Sequence, residues 1–381
     1  MKPNVMDETV FHKVEEPASR LLPSSALFGS AAVGRRRFLK ALGVTGAAVA
    51  AGIGVVPTVL AKMDTHGEKN KHHGRITEGD ADILRFLAAA ELLETDFWQQ
   101  YTELVLNNPA FGAALAVLDE DMAQYVADNT DDEMTHADFL NAYLVSQGAD
   151  PVNLDAFRTL PSSPATGAQQ IGRLTNLTML TVDTSWWIRY RSTGNPDFGD
   201  TFPQLIDIVD RTAIPLRDDY TADEIQAIAN TAAFHFASIE QGGSSLYATM
   251  LPKATAFDTI RIIAGIGGVE VAHFTVWHDK AGNAPAVTVD GLVFPDLETF
   301  DGDELRQKNL IMPEPCKFID ANLPACSVIR PGTVASSGAV AAATFLTNSG
   351  LFTGQSDAFF AALHKLAEAA DAAQDEAEGE D

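Results

Sequence analysis

Cysteine and basic residues are both scarce in this chain of 381 residues. The only two cysteines, Cys316 and Cys326, do not have the spacing of a zinc or iron–sulfur site. Lysine and arginine together number 26 against 52 aspartates and glutamates, which gives a formal net charge of −26. Because phosphate contacts require Lys and Arg, this balance argues against nucleic-acid binding. So acidic a surface should favour solubility and attract cations.

The first 61 residues have the composition of a signal segment. Arg35-Arg36-Arg37 is followed by Phe38-Leu39-Lys40 and by a stretch rich in Ala, Gly and Val that ends at Ala61. The pattern resembles a twin-arginine signal, so we expect export by the twin-arginine machinery to the periplasm or the cell exterior. If the segment stayed uncleaved, it would anchor the protein in a membrane, although its Gly content and Pro57 make it a weak span.

Export would change both the charge of the chain and the state of its cysteines. Residues 1–61 hold seven of the 26 basic and four of the 52 acidic residues, so their removal leaves a net charge of about −29. In an oxidising compartment, Cys316 and Cys326, ten residues apart in a Pro-rich region, are expected to form one disulfide that closes a short loop.

Two Glu-x-x-His pairs occur in separate helix-like stretches: Glu133 with His136, and Glu270 with His273. Residues three apart on a helix lie on one face, so each pair can aim at one point. A chance match on a solvated helix face is the alternative, and two pairs alone would be weak support for a metal site.

Each pair follows, one helix earlier, a glutamate with an aromatic residue seven positions further on. These are Glu91 with Trp98, and Glu240 with Tyr247. The order, Glu then Glu-x-x-His and then the same again, is the ligand set of a carboxylate-bridged two-metal site in a four-helix bundle. Four buried carboxylates would repel one another strongly, and two divalent cations would neutralise them.

Over roughly residues 78–281 the chain resembles the ferritin-like superfamily, which includes bacterioferritin, rubrerythrin, manganese catalase and a stress- or desiccation-related branch. The resemblance implies two iron or two manganese ions held by Glu91, Glu133, His136, Glu240, Glu270 and His273. Glu94 lies one turn from Glu91 and is an alternative or supporting ligand. Trp98 stands where tyrosine is common, which puts a tyrosine role on that side in doubt; Trp98 and Tyr247 are candidates for supporting positions beside the ligands.

The predicted fold is all-α: a ferritin-like four-helix bundle with a long crossover between helices 2 and 3 and a C-terminal helical extension. Its helices are expected from Thr77 to about Leu106, from about Leu115 to Gln147, from a capping box at Thr221 onwards, and from about Ala254 to Lys280, with a further helix over 167–191 in the crossover. The expected divisions are a signal peptide (1–61), a polar linker (62–77), the bundle (78–281), a Pro/Gly-rich loop segment (282–332), a helical segment (333–373) and an acidic tail (374–381).

Several other polar residues are not expected to bind metal. His235 and His278 lie five residues from Glu240 and His273, an offset that places each on a different helix face. The aspartates that flank the second-helix pair, Asp131, Asp132 and Asp138, are expected to be solvated.

Two functions compete for such a site. The first is redox chemistry with dioxygen or hydrogen peroxide, ferroxidase- or catalase-like, in stress protection. The second is a non-catalytic stress or metal-sequestering protein on the same bundle. A weaker third hypothesis is an interaction scaffold. The sequence leaves open the choice of metal, the substrate, the oligomeric state and whether the protein is an enzyme at all.

Overall fold

A computed structural model of the chain describes residues 76–191, 203–297 and 337–378, with scattered positions between 311 and 329. The expected signal segment and nearly all of the linker at 62–77 lie outside the described residues. The described part of the chain is mostly helical, which confirms the predicted class at that level.

Four helices carry the predicted metal motifs. They are α1 (Glu78–Asn107), α3 (Met122–Ser146), α5 (Ala222–Met250) and α6 (Phe257–Ala281). The other described helices are α2 (Pro109–Ala116), α4 (Trp186–Arg191), α7 (Ala339–Asn348) and α8 (Asp357–Glu378), with single 3-10 turns at Asp155–Phe157 and Leu251–Lys253.

The motif helices pack in two pairs around an aromatic core. Helix α1 packs along α3, and α5 packs along α6, while α8 covers another side of α1. Trp98 of α1 stacks on Trp277 of α6, with ring centroids 5.3 Å apart, and both rings contact Phe236 of α5. The three rings are almost fully buried, so they join helices of both pairs through apolar contact.

The start of α1 is tied to the start of α6. Thr77 caps α1 by accepting from the Asp80 backbone N–H. The buried Asp80 carboxylate in turn accepts from the backbone N–H groups of Thr255 (2.9 Å) and Ala256 (3.0 Å), just before α6 begins. One aspartate therefore satisfies amides at the beginning of a helix far away in sequence.

The boundaries of the other motif helices follow local sequence signals. The predicted capping box at Thr221 is confirmed, because Thr221 and Glu224 each accept from the other's backbone N–H. Gly148, just beyond α3, has a positive φ of 74°, as a C-terminal glycine should. The expected single helix from Leu115 is wrong at its start, because α2 ends at Ala116 and a turn precedes α3.

The helix expected over 167–191 is also wrong, apart from the short α4. Asp96 of α1 is fully buried and accepts from the backbone N–H groups of Leu174 (3.0 Å) and Thr175 (2.9 Å). Arg173 pairs with Leu160 as an isolated β-bridge. The backbone groups of this segment bond to other parts of the chain, so they are not available for helical hydrogen bonds.

Two small antiparallel sheets correct the all-α prediction. Strand β1 (Leu180–Val182) pairs with β2 (Ile208–Arg211), and β3 (Val287–Val289) pairs with β4 (Leu292–Phe294) in a hairpin. The β3–β4 turn has positive φ at both central residues, Asp290 (47°) and Gly291 (80°), which the Asp-Gly dipeptide favours. Both sheets lie in the connections between and after the motif helices, where sequence periodicity is weakest.

The C-terminal part of the chain is helical, as expected, but its last helix is longer than predicted. Helices α7 and α8 fall in the segment expected at 333–373, and α8 continues to Glu378, into the stretch expected to be an acidic tail. Cys316 is buried and Cys326 is exposed, and the disulfide expected between them stays a prediction.

Helix α6 is the one helix of the described residues that is long and apolar enough to cross a membrane by length and composition. It also carries Glu270 and His273 on its buried face. Core helices of water-soluble proteins pass the same test, so this feature does not indicate a membrane protein.

Candidate metal centre

Six side chains from the four motif helices meet in the interior. Each is at least nine-tenths buried, and the four carboxylates are between 0% and 1% exposed. They are Glu91 from α1, Glu133 and His136 from α3, Glu240 from α5, and Glu270 and His273 from α6. The structure therefore brings together the whole predicted set, which the sequence distributes over some 180 residues.

The six side chains form two overlapping groups, each able to hold one metal ion. One group is Glu91, Glu133, His136 and Glu270; the other is Glu133, Glu240, Glu270 and His273. Within each group, one ligand atom of every residue lies within 4.8 Å of the others. Glu133 and Glu270 belong to both groups, which is the position of bridging carboxylates in a two-metal site.

The two imidazoles approach the cluster through the same ring nitrogen. His136 Nδ1 lies 3.0 Å from Glu133 Oε2 and 3.4 Å from Glu270 Oε1. His273 Nδ1 lies 3.0 Å from Glu133 Oε1 and 3.3 Å from Glu240 Oε2. The arrangement is nearly symmetric, with one imidazole on each side of the shared glutamates.

Several buried polar atoms without hydrogen-bond partners lie in this cluster. Among the described residues they include Glu91 Oε2, Glu240 Oε2, both carboxylate oxygens of Glu270, and His273 Nδ1. A buried carboxylate oxygen that lacks a partner is costly, and a bound cation would satisfy it. The donor set of oxygen and imidazole nitrogen suits iron or manganese and fits the implied pair of ions.

The cluster holds protons when no cation is bound. Burial and the neighbouring Glu240 raise the pKa of Glu133 to about 7, and burial and Glu133 raise the pKa of Glu270 well above its usual range. Burial opposes charge on His136, but its contacts with Glu133, Glu270 and Glu91 outweigh burial and raise its pKa to about 12. Cations would compete with these protons for the same atoms.

The three residues expected beside the ligands have different positions. Glu94 is only partly buried and belongs to neither group, although burial and Glu270 raise its pKa well above its usual range. Tyr247 is buried, and its hydroxyl donates to Glu91 Oε1. Trp98 lies in the aromatic core against Trp277. Among the described residues, its indole Nε1 has no hydrogen-bond partner, so it does not bond to the carboxylates.

Asn129 supports the cluster and was missed by the sequence analysis. It lies one turn before Glu133 on α3, and its amide nitrogen donates to Glu133 Oε1 (2.7 Å) and to Glu240 Oε1 (3.0 Å). Its carbonyl oxygen accepts from Trp277 Nε1 at 2.7 Å, which fixes the amide orientation. The available signal was its position four residues before Glu133 on the same helix face.

Asp132 stays partly solvated, as expected, but it also contacts His273 of the metal cluster. Its Oδ2 lies 3.1 Å from His273 Nε2, while its side chain stays about half exposed. The bond to His273 lowers the pKa of Asp132, against the effect of burial. An acceptor on Nε2 fixes that nitrogen as the protonated one, which leaves Nδ1 to face the cluster.

We therefore expect Asp132→Ala to weaken metal binding at the His273 position by roughly 10- to 100-fold, the usual effect of removing such a partner. Calorimetric titration with Mn²⁺ measures the affinity of each ion. The matched control is Asp138→Ala, which removes an exposed aspartate from the same helix. Equal affinity in the two variants would contradict a positioning role for Asp132.

Two of the glycines near the ligands are required by close packing. A Cβ at Gly243 of α5 would lie 2.4 Å from Glu270 Oε2, and one at Gly267 of α6 would lie 2.8 Å from Tyr247 Cβ. Gly242, Gly265 and Gly268 would meet nothing within 4 Å. Gly243 thus lets the backbone of α5 approach the Glu270 carboxylate directly.

His235 and His278 lie outside the cluster, as their spacing predicted. His235 is buried, and its Nδ1 is 2.9 Å from the Tyr101 hydroxyl. Burial lowers its pKa to about 3, so it is neutral at ordinary pH. His278 is buried among Trp186, Trp187 and Phe274.

Comparison with protein families agrees with the geometry. The sequence profile of the ferritin-like domain matches residues 79–283, more than half of the chain. The chain therefore belongs to the ferritin-like domain family. No curated protein and no solved structure gave a significant match in the same comparisons.

Proposed function

We propose that this chain is an exported ferritin-like protein that binds two iron or two manganese ions for redox chemistry with dioxygen or hydrogen peroxide. The observation that carries the proposal is the pair of overlapping groups that share Glu133 and Glu270 in a buried core. Bound there, two such ions would supply Lewis acidity and exchange electrons with a small oxidant.

The protein residues would have distinct roles around the ions. Glu133 and Glu270 would bridge the pair, and His136 and His273 would each hold one ion. Tyr247 donates a hydrogen bond to Glu91, so it would orient that terminal carboxylate. The surrounding aromatic core excludes bulk water, which strengthens these electrostatic interactions.

The proposal also includes the arrangement of the motif helices. We infer a four-helix bundle of the ferritin-like kind, in which residues 149–220 cross over between α3 and α5. The pairing of α1 with α3 and of α5 with α6, and the contribution of every motif helix to one cluster, support this inference.

Export by the twin-arginine route and a role in stress protection belong to the proposal as well. Their support is the Arg35-Arg36-x-Phe38-Leu39-Lys40 pattern and the apolar stretch after it. That route is associated with proteins that fold before export, often around a cofactor, and a site that must be loaded with a chosen metal fits it.

The test is turnover by protein reconstituted with Fe²⁺ or Mn²⁺, followed with an oxygen electrode and a peroxide assay. We expect Glu133→Ala to lower turnover by more than about 100-fold, because it removes a ligand shared by both ions. The exposed Glu120→Ala is the control, since it removes a carboxylate far from the interior. If the unaltered protein binds its full complement of metal but shows no turnover, the redox role is overturned and a metal-sequestering role is favoured.

A further inference from the structure

A cavity of about 980 Å³ lies between α1, α5, α7 and the β1–β2 sheet. None of the six clustered ligands lines it. Its volume is at the upper end of the range for small-molecule sites, roughly 300–1,000 Å³. The proposed metal chemistry leaves this cavity without a role.

The walls of the cavity are mainly apolar. One face of α1 contributes Phe86, Leu93 and Phe97. Helix α7 contributes Phe345, and Leu351 follows just after that helix. A concave site with such walls binds ligands mainly by removing their apolar surface from water.

One part of the cavity wall lies directly against the metal cluster. Gly243 lines the cavity, and a Cβ at this position would lie 2.4 Å from Glu270 Oε2. Gly243 therefore both lines the cavity and lies against the Glu270 carboxylate. Glu94 also lines the cavity and is partly exposed, one turn after Glu91 on α1.

Among the described lining residues, Arg189 is the only basic one, and the acidic ones are Glu94, Asp183 and Asp207. Arg189 is almost fully buried; its Nη2 donates to Gln241 Oε1 at 2.8 Å and lies 3.6 Å from Asp183 Oδ2. All three residues line the cavity. Because the guanidinium already has a carboxylate beside it, an anionic ligand would gain little here, whereas a hydroxyl or amide could join the existing hydrogen bonds.

We propose that this cavity is a binding site for an uncharged, mainly apolar organic molecule with a single polar group, held beside the Glu270 side of the metal cluster. Four observations support it: the cavity volume, the apolar walls, the pairing of Arg189 with Asp183 and the approach of Gly243 to Glu270. Binding itself does not require the proposed redox function; only the position of the ligand beside bound ions rests on it.

The test of binding is a fluorescence titration of the full chain with N-phenyl-1-naphthylamine, an uncharged apolar probe. We expect saturable binding that 1-octanol displaces and octanoate displaces about tenfold less well, because the carboxylate lacks a free cation on the wall. Ala341→Trp fills part of the cavity, so it should weaken probe binding by at least about tenfold. The matched control is Ala113→Trp on the exposed side of α2, which should bind as the unaltered protein does.

A second cavity variant is needed because Ala341→Trp could lose probe binding through misfolding. Phe345→Asp places a charge on a wall residue that is already 38% exposed, so the fold should tolerate it while probe affinity falls by a similar factor. Circular dichroism checks the fold of each variant. The proposed binding site would be overturned if probe affinity were unchanged in both cavity variants, or if the unaltered protein showed no saturable binding.

The position of the ligand is tested separately with 1-octanol and metal-loaded protein. Paramagnetic Mn²⁺ in the cluster should broaden the proton resonances of bound octanol, whereas diamagnetic Zn²⁺ should not. Octanol that binds without Mn²⁺-dependent broadening would overturn its placement beside the ions. If the protein takes up no metal, the proposed function fails, and the fluorescence titration still decides whether the cavity binds the probe.

Discussion

Replacing Glu270 with alanine should remove both metal ions from the protein, whereas replacing Glu91 should remove only one. Glu270 belongs to both ligand groups, and Glu91 belongs to one. Loss of the shared carboxylate leaves each group with three of its four protein ligands and leaves Glu133 as the only bridge. Elemental analysis of purified protein should give about two ions per chain for the unaltered protein, about one for Glu91→Ala and close to none for Glu270→Ala.

Glu94→Ala is the matched control for this series. Glu94 lies one turn from Glu91 and was an alternative ligand on sequence grounds, but it belongs to neither group. The variant should therefore keep both ions. A loss of one ion in Glu94→Ala and not in Glu91→Ala would show that the α1 ligand has been assigned to the wrong residue.

Metal removal should cause the largest loss of stability. At free metal about 1,000 times Kd, a bound ion contributes about 4 kcal/mol to the free energy of unfolding. For a domain of this size that corresponds to a fall in Tm of roughly 8–16 °C on stripping with a chelator. Differential scanning calorimetry measures the shift. Equal Tm values before and after stripping would contradict a buried cation cluster.

The fall in Tm that metal removal causes should grow as pH rises. The folded-state pKa of Glu133 is about 7 against 4.5 in an unfolded chain, and that of Glu270 is also raised. The metal-free fold therefore holds more protons than the unfolded chain in this window, so its stability falls as pH rises from about 4.5 towards 7. Below pH 7 the ions must displace those protons. The difference in Tm between loaded and stripped protein should be larger at pH 8 than at pH 5.5.

The metal cluster could be predicted from the sequence because helical spacing constrains it. Glu133 and His136 must share a helix face wherever that helix packs, and the same is true of Glu270 and His273. Choosing between Glu91 and Glu94 required the structure, because both lie on adjacent turns of α1. The choice depends on how α1 packs against α3, and that packing cannot be predicted from the local sequence pattern.

The supporting residues were harder to predict. The bond from Asp132 to His273 joins α3 to α6 across 141 residues, and an exposed aspartate gives no local sign of such a partner. The prediction of a helix over 167–191 was wrong for a related reason. Its apolar residues suit a helix, but the buried Asp96 takes the amides of Leu174 and Thr175, so tertiary contacts overrode local propensity.

The sharing of Glu133 and Glu270 has a consequence for the integrity of the chain. Each ion would have ligands from before residue 147 and from after residue 221, so each ion would form a reversible cross-link between the two halves of the domain. A cut in the long stretch between those halves would leave two fragments that stay together while the ions are in place. The same ions could not be retained by a nascent chain until its second half had emerged and folded.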